Sequence, residues 1–163
     1  MPDVWLRELG RLLPDVYARR PDLYPTTPMM ESGDDRLRLF QAVARFLGEL
    51  PQPVLLALDD LQWSDPLTIN LLDYLVRQPP TQLRLAVLAA MREGDDPDAL
   101  RRACNALERD GRLTRIPLSN LSEPDTLALV ARLLPAGSAQ LAARIYAQTL
   151  GHPLYTVELV SML

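Results

Sequence analysis

Lysine is absent from this sequence: all 17 basic residues among its 163 are arginine. A phosphate-binding loop of the form Gly-x-x-x-x-Gly-Lys-Ser/Thr needs a lysine to reach the β- and γ-phosphates. No such loop can be drawn here, and the seven glycines are too scattered to cradle a phosphate. Cysteine is nearly absent as well. The single Cys104 excludes an internal disulfide and any multi-cysteine metal site. The single His152 excludes a histidine metal cluster, and the lack of a Gly-x-Ser-x-Gly elbow makes a Ser-His-Asp hydrolase a poor fit. No apolar run approaches the ~20 residues that a membrane span needs. The opening Met-Pro-Asp-Val-Trp has neither the basic nor the apolar region of a signal peptide. A cytoplasmic chain with no membrane contact is therefore expected. A net charge of −4 argues against direct nucleic-acid binding by this segment.

What is present is an apolar content of 48%, enough for a sizeable core in a domain or a domain and a half. The most informative stretch is Pro53-Val54-Leu55-Leu56-Ala57-Leu58-Asp59-Asp60-Leu61-Gln62-Trp63-Ser64-Asp65. Five apolar residues end abruptly at two carboxylates. The pattern predicts a strand buried on both faces, as in a parallel sheet. Open α/β sheets bind ligands at the carboxyl ends of their strands. A carboxylate placed there can hold Mg²⁺, which takes one or two protein carboxylates and keeps several waters.

The remaining elements follow in order. Residues 3–20 read as an amphipathic helix that Pro14 breaks or kinks. Residues 21–30, with three prolines, read as an extended connector. Residues 34–50 form a helix with Leu37, Phe40, Val43, Ala44 and Leu47 on one face, opened by a weak Ser32–Asp35 capping pair. Asp65 suits an N-cap and Pro66 a first helical position. The helix carries Leu67, Leu71, Tyr74 and Leu75, and Pro79-Pro80 stops it. Residues 83–89 read as a second buried strand. A helix follows Pro97, with Leu100, Ala103, Cys104 and Leu107 on one face, and Asp110-Gly111 closes it. Cys104 reads as a small core residue. Residues 113–118 read as a third strand, with Pro117 favouring an edge or terminal position. From Ser122 the pattern is purely helical: one helix starts there with Asp125, another at Ser138, and a last one after Gly151-His152-Pro153. Strands alternating with helices and then helices alone predict an α/β part followed by a helical part.

The segment Val54 to Asp65 resembles the Walker B region of the signalling P-loop ATPases called STAND. Within them it is similar to the AAA-like module of large bacterial transcriptional regulators, of the LuxR type or with a bacterial transcriptional activation domain. The Leu61-Gln62-Trp63-Ser64-Asp65 tail is the most specific part of the match. Other segments fit in order. Asp34 to Phe40 looks like the Arg-Leu-Phe helix before Walker B. Residues 83–92 look like the sensor 1 strand ending in an arginine. Ile116 to Ser122 is similar to the entry to the lid. Thr149 to Tyr155, with Glu158-Leu159-Val160, looks like the Gly-x-Pro lid motif, although His152 stands where Asn is commonest.

The resemblance implies an α/β P-loop NTPase (AAA-like) sheet missing its Walker A strand, with the core at residues 1–120 and a C-terminal helical lid at 121–163. That strand, which would lie between residues 83–89 and 113–118, is expected upstream of Met1, making the chain a fragment or truncated product. A gap in the sheet, exposed apolar strand edges and poor stability are expected. The resemblance also implies ATP or ADP with Mg²⁺ as cofactor in the intact protein. Asp59 would hold the metal through water, Asp60 would position the attacking water, and Arg92 would read the γ-phosphate. Gly151 and Pro153 would couple nucleotide to lid, with Pro153 near the adenine.

Each assignment has a plainer counterpart. Asp59 could cap a turn, Asp60 could be a surface acid, and Arg92 could pair with Glu93, Asp95 or Asp96. Trp63 reads as a packing anchor rather than a base-stacking residue, and Gly-His-Pro could be only a helix break. The reading is the ATPase core of a STAND-type regulator, a slow nucleotide-dependent switch controlling transcription and inactive as this isolated chain. Its expected partners are nucleotide, other domains of the same regulator and a second copy on activation. The alternative is a non-enzymatic interaction module derived from a degenerate ATPase.

Overall fold

The computed structural model describes residues 1–24, 33–92, 94, 97–134 and 139–163. The expected connector over 25–30, the Ser32 cap, the acids Glu93, Asp95 and Asp96, and the Ser138 start lie outside the described residues. The chain divides into two compact units, Met1–Thr114 and Arg115–Leu163. Among the described residues no helix is long and apolar enough to cross a membrane.

In the first unit, α1 (Asp3–Gly10) stops short of Pro14, and α2 (Asp15–Arg19) restarts after it. The break lets Tyr17 fold back, where its hydroxyl donates to the Arg7 carbonyl at 2.8 Å. The Tyr17 ring fills the space that a side chain at residue 10 would need, so glycine is required there. Residues 21–23 form a 3₁₀ turn rather than extended chain. Helix α1 packs on α3 (Gly33–Gly48). The buried residues of α3 are Leu39, Phe40 and Ala42, and Leu37 is exposed, so the stripe is rotated from the expected one.

Strands β1 (Val54–Leu58) and β2 (Leu85–Ala89) pair in parallel, with Val54 opposite Leu85 and Leu58 opposite Ala89. Helix α4 (Pro66–Val76) joins them, and α5 (Asp98–Arg109) follows β2 and packs on α4. Leu61, Ile69, Leu100 and Cys104 form the core here, with Leu58, Leu72 and Met91 against it. Cys104 is buried on the apolar face of α5, as the pattern indicated.

Two expectations about the strands fail. The strands are not buried on both faces: burial alternates, and Leu55 and Leu88 are 66% and 59% exposed. The α4/α5 core takes the side that Leu58 faces, and among the described residues nothing covers the other side. Residues 113–118 form no strand. No described strand lies alongside to satisfy its backbone groups, Pro117 lacks a donor, and Leu118 is 92% exposed.

The second unit is three helices, α6 (Glu123–Leu133), α7 (Ala139–Thr149) and α8 (Pro153–Ser161). Val130, Ala142, Ile145 and Val160 make its core. Buried Thr156 donates to Thr149 Oγ1 at 3.1 Å or to the His152 carbonyl at 2.9 Å, and Thr149 donates to the Ile145 carbonyl at 2.9 Å, so these hydroxyls are satisfied. Gly151 joins α7 to α8 at φ 75°. Its carbonyl accepts from Leu121 N–H at 2.9 Å, and a Cβ built on it would lie 2.0 Å from the Leu121 carbonyl oxygen.

Two substitution sets test this packing. Leu100→Ala should cost about 2–5 kcal/mol in urea unfolding, while Leu88→Ser on the open sheet face should cost less than about 1 kcal/mol. A large loss for Leu88→Ser would mean that this face is covered in solution. Gly151→Ala should destabilise the second unit by at least about 2 kcal/mol, because it combines a left-handed backbone with a backbone clash. A variant as stable as the parent would contradict that geometry.

Candidate functional site

The carboxyl ends of β1 and β2 lie side by side, and the chain that leaves β1 turns across them. Leu58 ends the strand. Asp59 follows in solvent, and Asp60 takes the left-handed conformation at φ 51°, ψ 43°. Aspartate is among the few non-glycine residues that visit this region readily. The turn continues into a 3₁₀ segment, Leu61–Trp63, before α4 starts.

Hydrogen bonds hold this turn on the neighbouring strand. Ala90 N–H donates to the Leu58 carbonyl at 2.8 Å, and Leu61 N–H donates to the Ala90 carbonyl at 3.0 Å. Asp60 N–H donates to Asp59 Oδ1 at 2.9 Å, which orients the first carboxylate. Gln62 Nε2 donates to Asp60 Oδ1 at 2.8 Å, which orients the second. Gln62 Oε1 accepts from Arg92 N–H at 3.2 Å. The Arg92 guanidinium stands 5.9 Å from the centre of the Trp63 ring, near the outer limit of a cation–π contact.

Asp59, Asp60 and Arg92 are thus gathered at one edge of the sheet. Asp59 leaves Oδ2 open among the described residues. Their donor set suits Mg²⁺, which needs only one or two carboxylates beside water and phosphate oxygens. It does not suit a caged metal: among the described residues no group of three or more His, Cys, Asp or Glu comes together. Gly151 and Pro153 lie in the second unit, with Pro153 exposed as the first residue of α8. His152 caps α8 without a side-chain bond and stacks on Tyr155, ring centres 4.2 Å apart.

Trp63 corrects an expectation. It is not a packing anchor but 73% exposed. Leu61 and Gln62 turn inward in its place, because the 3₁₀ turn directs those two against the core. Gln62 is the site residue that pattern reading passed over. It is buried at 4% exposure, and glutamine gives no periodicity or charge signal. Its only trace in the sequence was its place in the tail after the two acids.

Asp65 does cap α4. Its Oδ1 accepts from Leu67 N–H at 2.8 Å and Thr68 N–H at 3.1 Å, and its Oδ2 accepts from the Thr68 hydroxyl at 2.7 Å. The Thr68 hydroxyl, then the backbone N–H groups, hold its carboxyl below the ordinary carboxylate range. Stability from this cap is present above the unfolded carboxyl value of about 3.9 and is lost as pH falls through the lower folded value. Asp65→Asn keeps a capping oxygen but does not titrate. Thermal melts from neutral pH downward should therefore show a shallower loss for Asp65→Asn below about pH 4 than for the parent, and parallel curves would contradict the cap's ionic contribution.

A family model described as AAA ATPase domain matches residues 3–88, just over half of the chain. The matched stretch contains Asp59, Asp60 and Gln62 and stops before Arg92. Neither a curated protein nor a solved structure matches the chain.

Proposed function

The chain belongs to the AAA ATPase domain family, and on that premise we propose that it is the catalytic edge of a nucleotide-dependent switch of the STAND type, in a regulator that controls transcription. The observation that carries the reading is the acid pair Asp59–Asp60, fixed at the strand end within the matched segment and beside the strand that leads to Arg92.

The roles follow from the chemistry of each group. Asp59, exposed and oriented by its neighbour's amide, would hold Mg²⁺, which when bound would supply positive charge against that developing on a transferred phosphoryl group. Asp60 accepts a hydrogen bond from the attacking water and so positions it. Arg92 leaves the Trp63 face to meet the γ-phosphate, whose oxygens match a guanidinium fork. Gly151 and Pro153, in the second unit, are assigned to nucleotide binding on the strength of the sequence resemblance alone. A switch of this kind works because nucleotide states differ in affinity for two conformations. Other domains of the regulator, and further copies of it on activation, are the partners. DNA contacts belong outside this segment, whose net charge is −4.

A second reading has its own support. With no lysine, the chain lacks the residue that reaches the β- and γ-phosphates, and the exposed Leu55 and Leu88 leave an apolar face open. On that reading the fold is a protein-interaction module that keeps its acids without using them.

The two readings diverge in the native polypeptide that carries this sequence. Under the switch reading, Asp59→Ala should reduce Mg²⁺-dependent ATP turnover at least about 100-fold. Under the interaction reading, turnover is absent before and after the change. The 163-residue chain by itself should bind Mg·ATP more weakly than about 1 mM. Micromolar binding by it would show that arginines replace the missing loop.

A further inference from the structure

We infer that Gln62 is a positioning residue that joins the second acid to the end of the neighbouring strand, so that the state of Asp60 is felt at Arg92. The inference rests on the reading of Asp60 as the group that positions water.

Three observations carry it. Gln62 is only 4% exposed, so its amide is removed from competition with water. Both ends of that amide are used: the NH₂ donates to Asp60 Oδ1 and the carbonyl accepts from Arg92 N–H. The two partners are 30 residues or more apart in the chain and sit on different strand ends, whereas among the described residues the turn and loop backbone bonds that join the two strand ends run through Leu58, Leu61 and Ala90.

The polarity of the bridge matters. A carboxylate at 62 could accept from Arg92 but would repel Asp60. An apolar side chain could do neither. Only a group with a donor at one end and an acceptor at the other spans the gap. By binding Oδ1, Gln62 leaves Oδ2 as the oxygen that faces a reacting water. It also fixes the carboxylate rotamer on a residue already in the left-handed conformation. A pull on Asp60 is passed through the amide to the backbone that carries Arg92.

The test combines exchange and turnover. In the 163-residue chain, amide hydrogen exchange is read at Arg92, with Val87 as the control for folding. Gln62→Met and Asp60→Ala should each speed Arg92 exchange about tenfold and leave Val87 unchanged. The double variant should exchange no faster than either single, since the two changes break one connection. Unchanged Arg92 exchange in Asp60→Ala, or effects that multiply in the double variant, would overturn the inference. In the native polypeptide, Gln62→Met should lower kcat about tenfold or more and leave KM for ATP within about twofold. If Asp60→Asn lowers kcat and Gln62→Met does not, the positioning role fails. If neither lowers kcat, the role assigned to Asp60 fails, and that of Gln62 in turnover with it.

Discussion

The left-handed backbone at Asp60 is the constraint on which the arrangement of this edge depends. A strand that ran on straight would carry Asp59 and Asp60 to opposite faces and continue the ladder beside β2. The turn instead folds the chain sideways, so that Leu61 N–H reaches the Ala90 carbonyl and the Leu61 side chain enters the core with Ile69 and Leu100. Burial of Leu61 and Gln62 offsets the strain of the turn. Strain kept at a strand end and balanced by surrounding packing is a common feature of functional sites. The same turn aims the chain into Asp65, whose cap starts α4, the helix that returns over β2.

The short-range features were legible in the sequence because each rests on a local rule. Pro14 lacks an amide and divides the first helix. Asp65 and Pro66 start α4 with an acceptor and a preset φ, and Ser122 accepts from Asp125 N–H to start α6. Asp59 and Asp60 stood out because two acids after five apolar residues mark a strand's carboxyl end. The long-range features were not legible. Whether Leu55 and Leu88 are buried depends on what packs over the sheet, and their own apolarity does not carry that information. Residues 113–118 have a strand's composition, but a strand exists only where a neighbour takes its hydrogen bonds. Trp63 was misplaced and Gln62 passed over because a 3₁₀ turn after a left-handed residue does not follow helix or strand periodicity.

The open sheet face and the missing lysine are consistent with each other. A parallel sheet ordinarily has both faces covered, and a two-stranded sheet is marginal without further support. Here one face rests on α4 and α5, and the other presents Leu55 and Leu88 to solvent. The acids that would hold a metal are present, while the lysine that would hold phosphate is not. Among the described residues this strand edge is thus rich in acceptors and, Arg92 apart, poor in phosphate donors. On the proposed reading, a metal ion is the component that this edge would bind first.

The most direct test of that account is paramagnetic broadening by Mn²⁺ in the ¹⁵N-labelled 163-residue chain, because broadening registers even weak and transient occupancy. The expected result is loss of the Asp59, Asp60 and Leu61 amide signals first and of Arg92 next, with Asp59→Ala restoring them. Broadening scattered over other surface acids such as Asp73 and Asp110, with the β1 end unaffected, would contradict the placement of a metal at this edge.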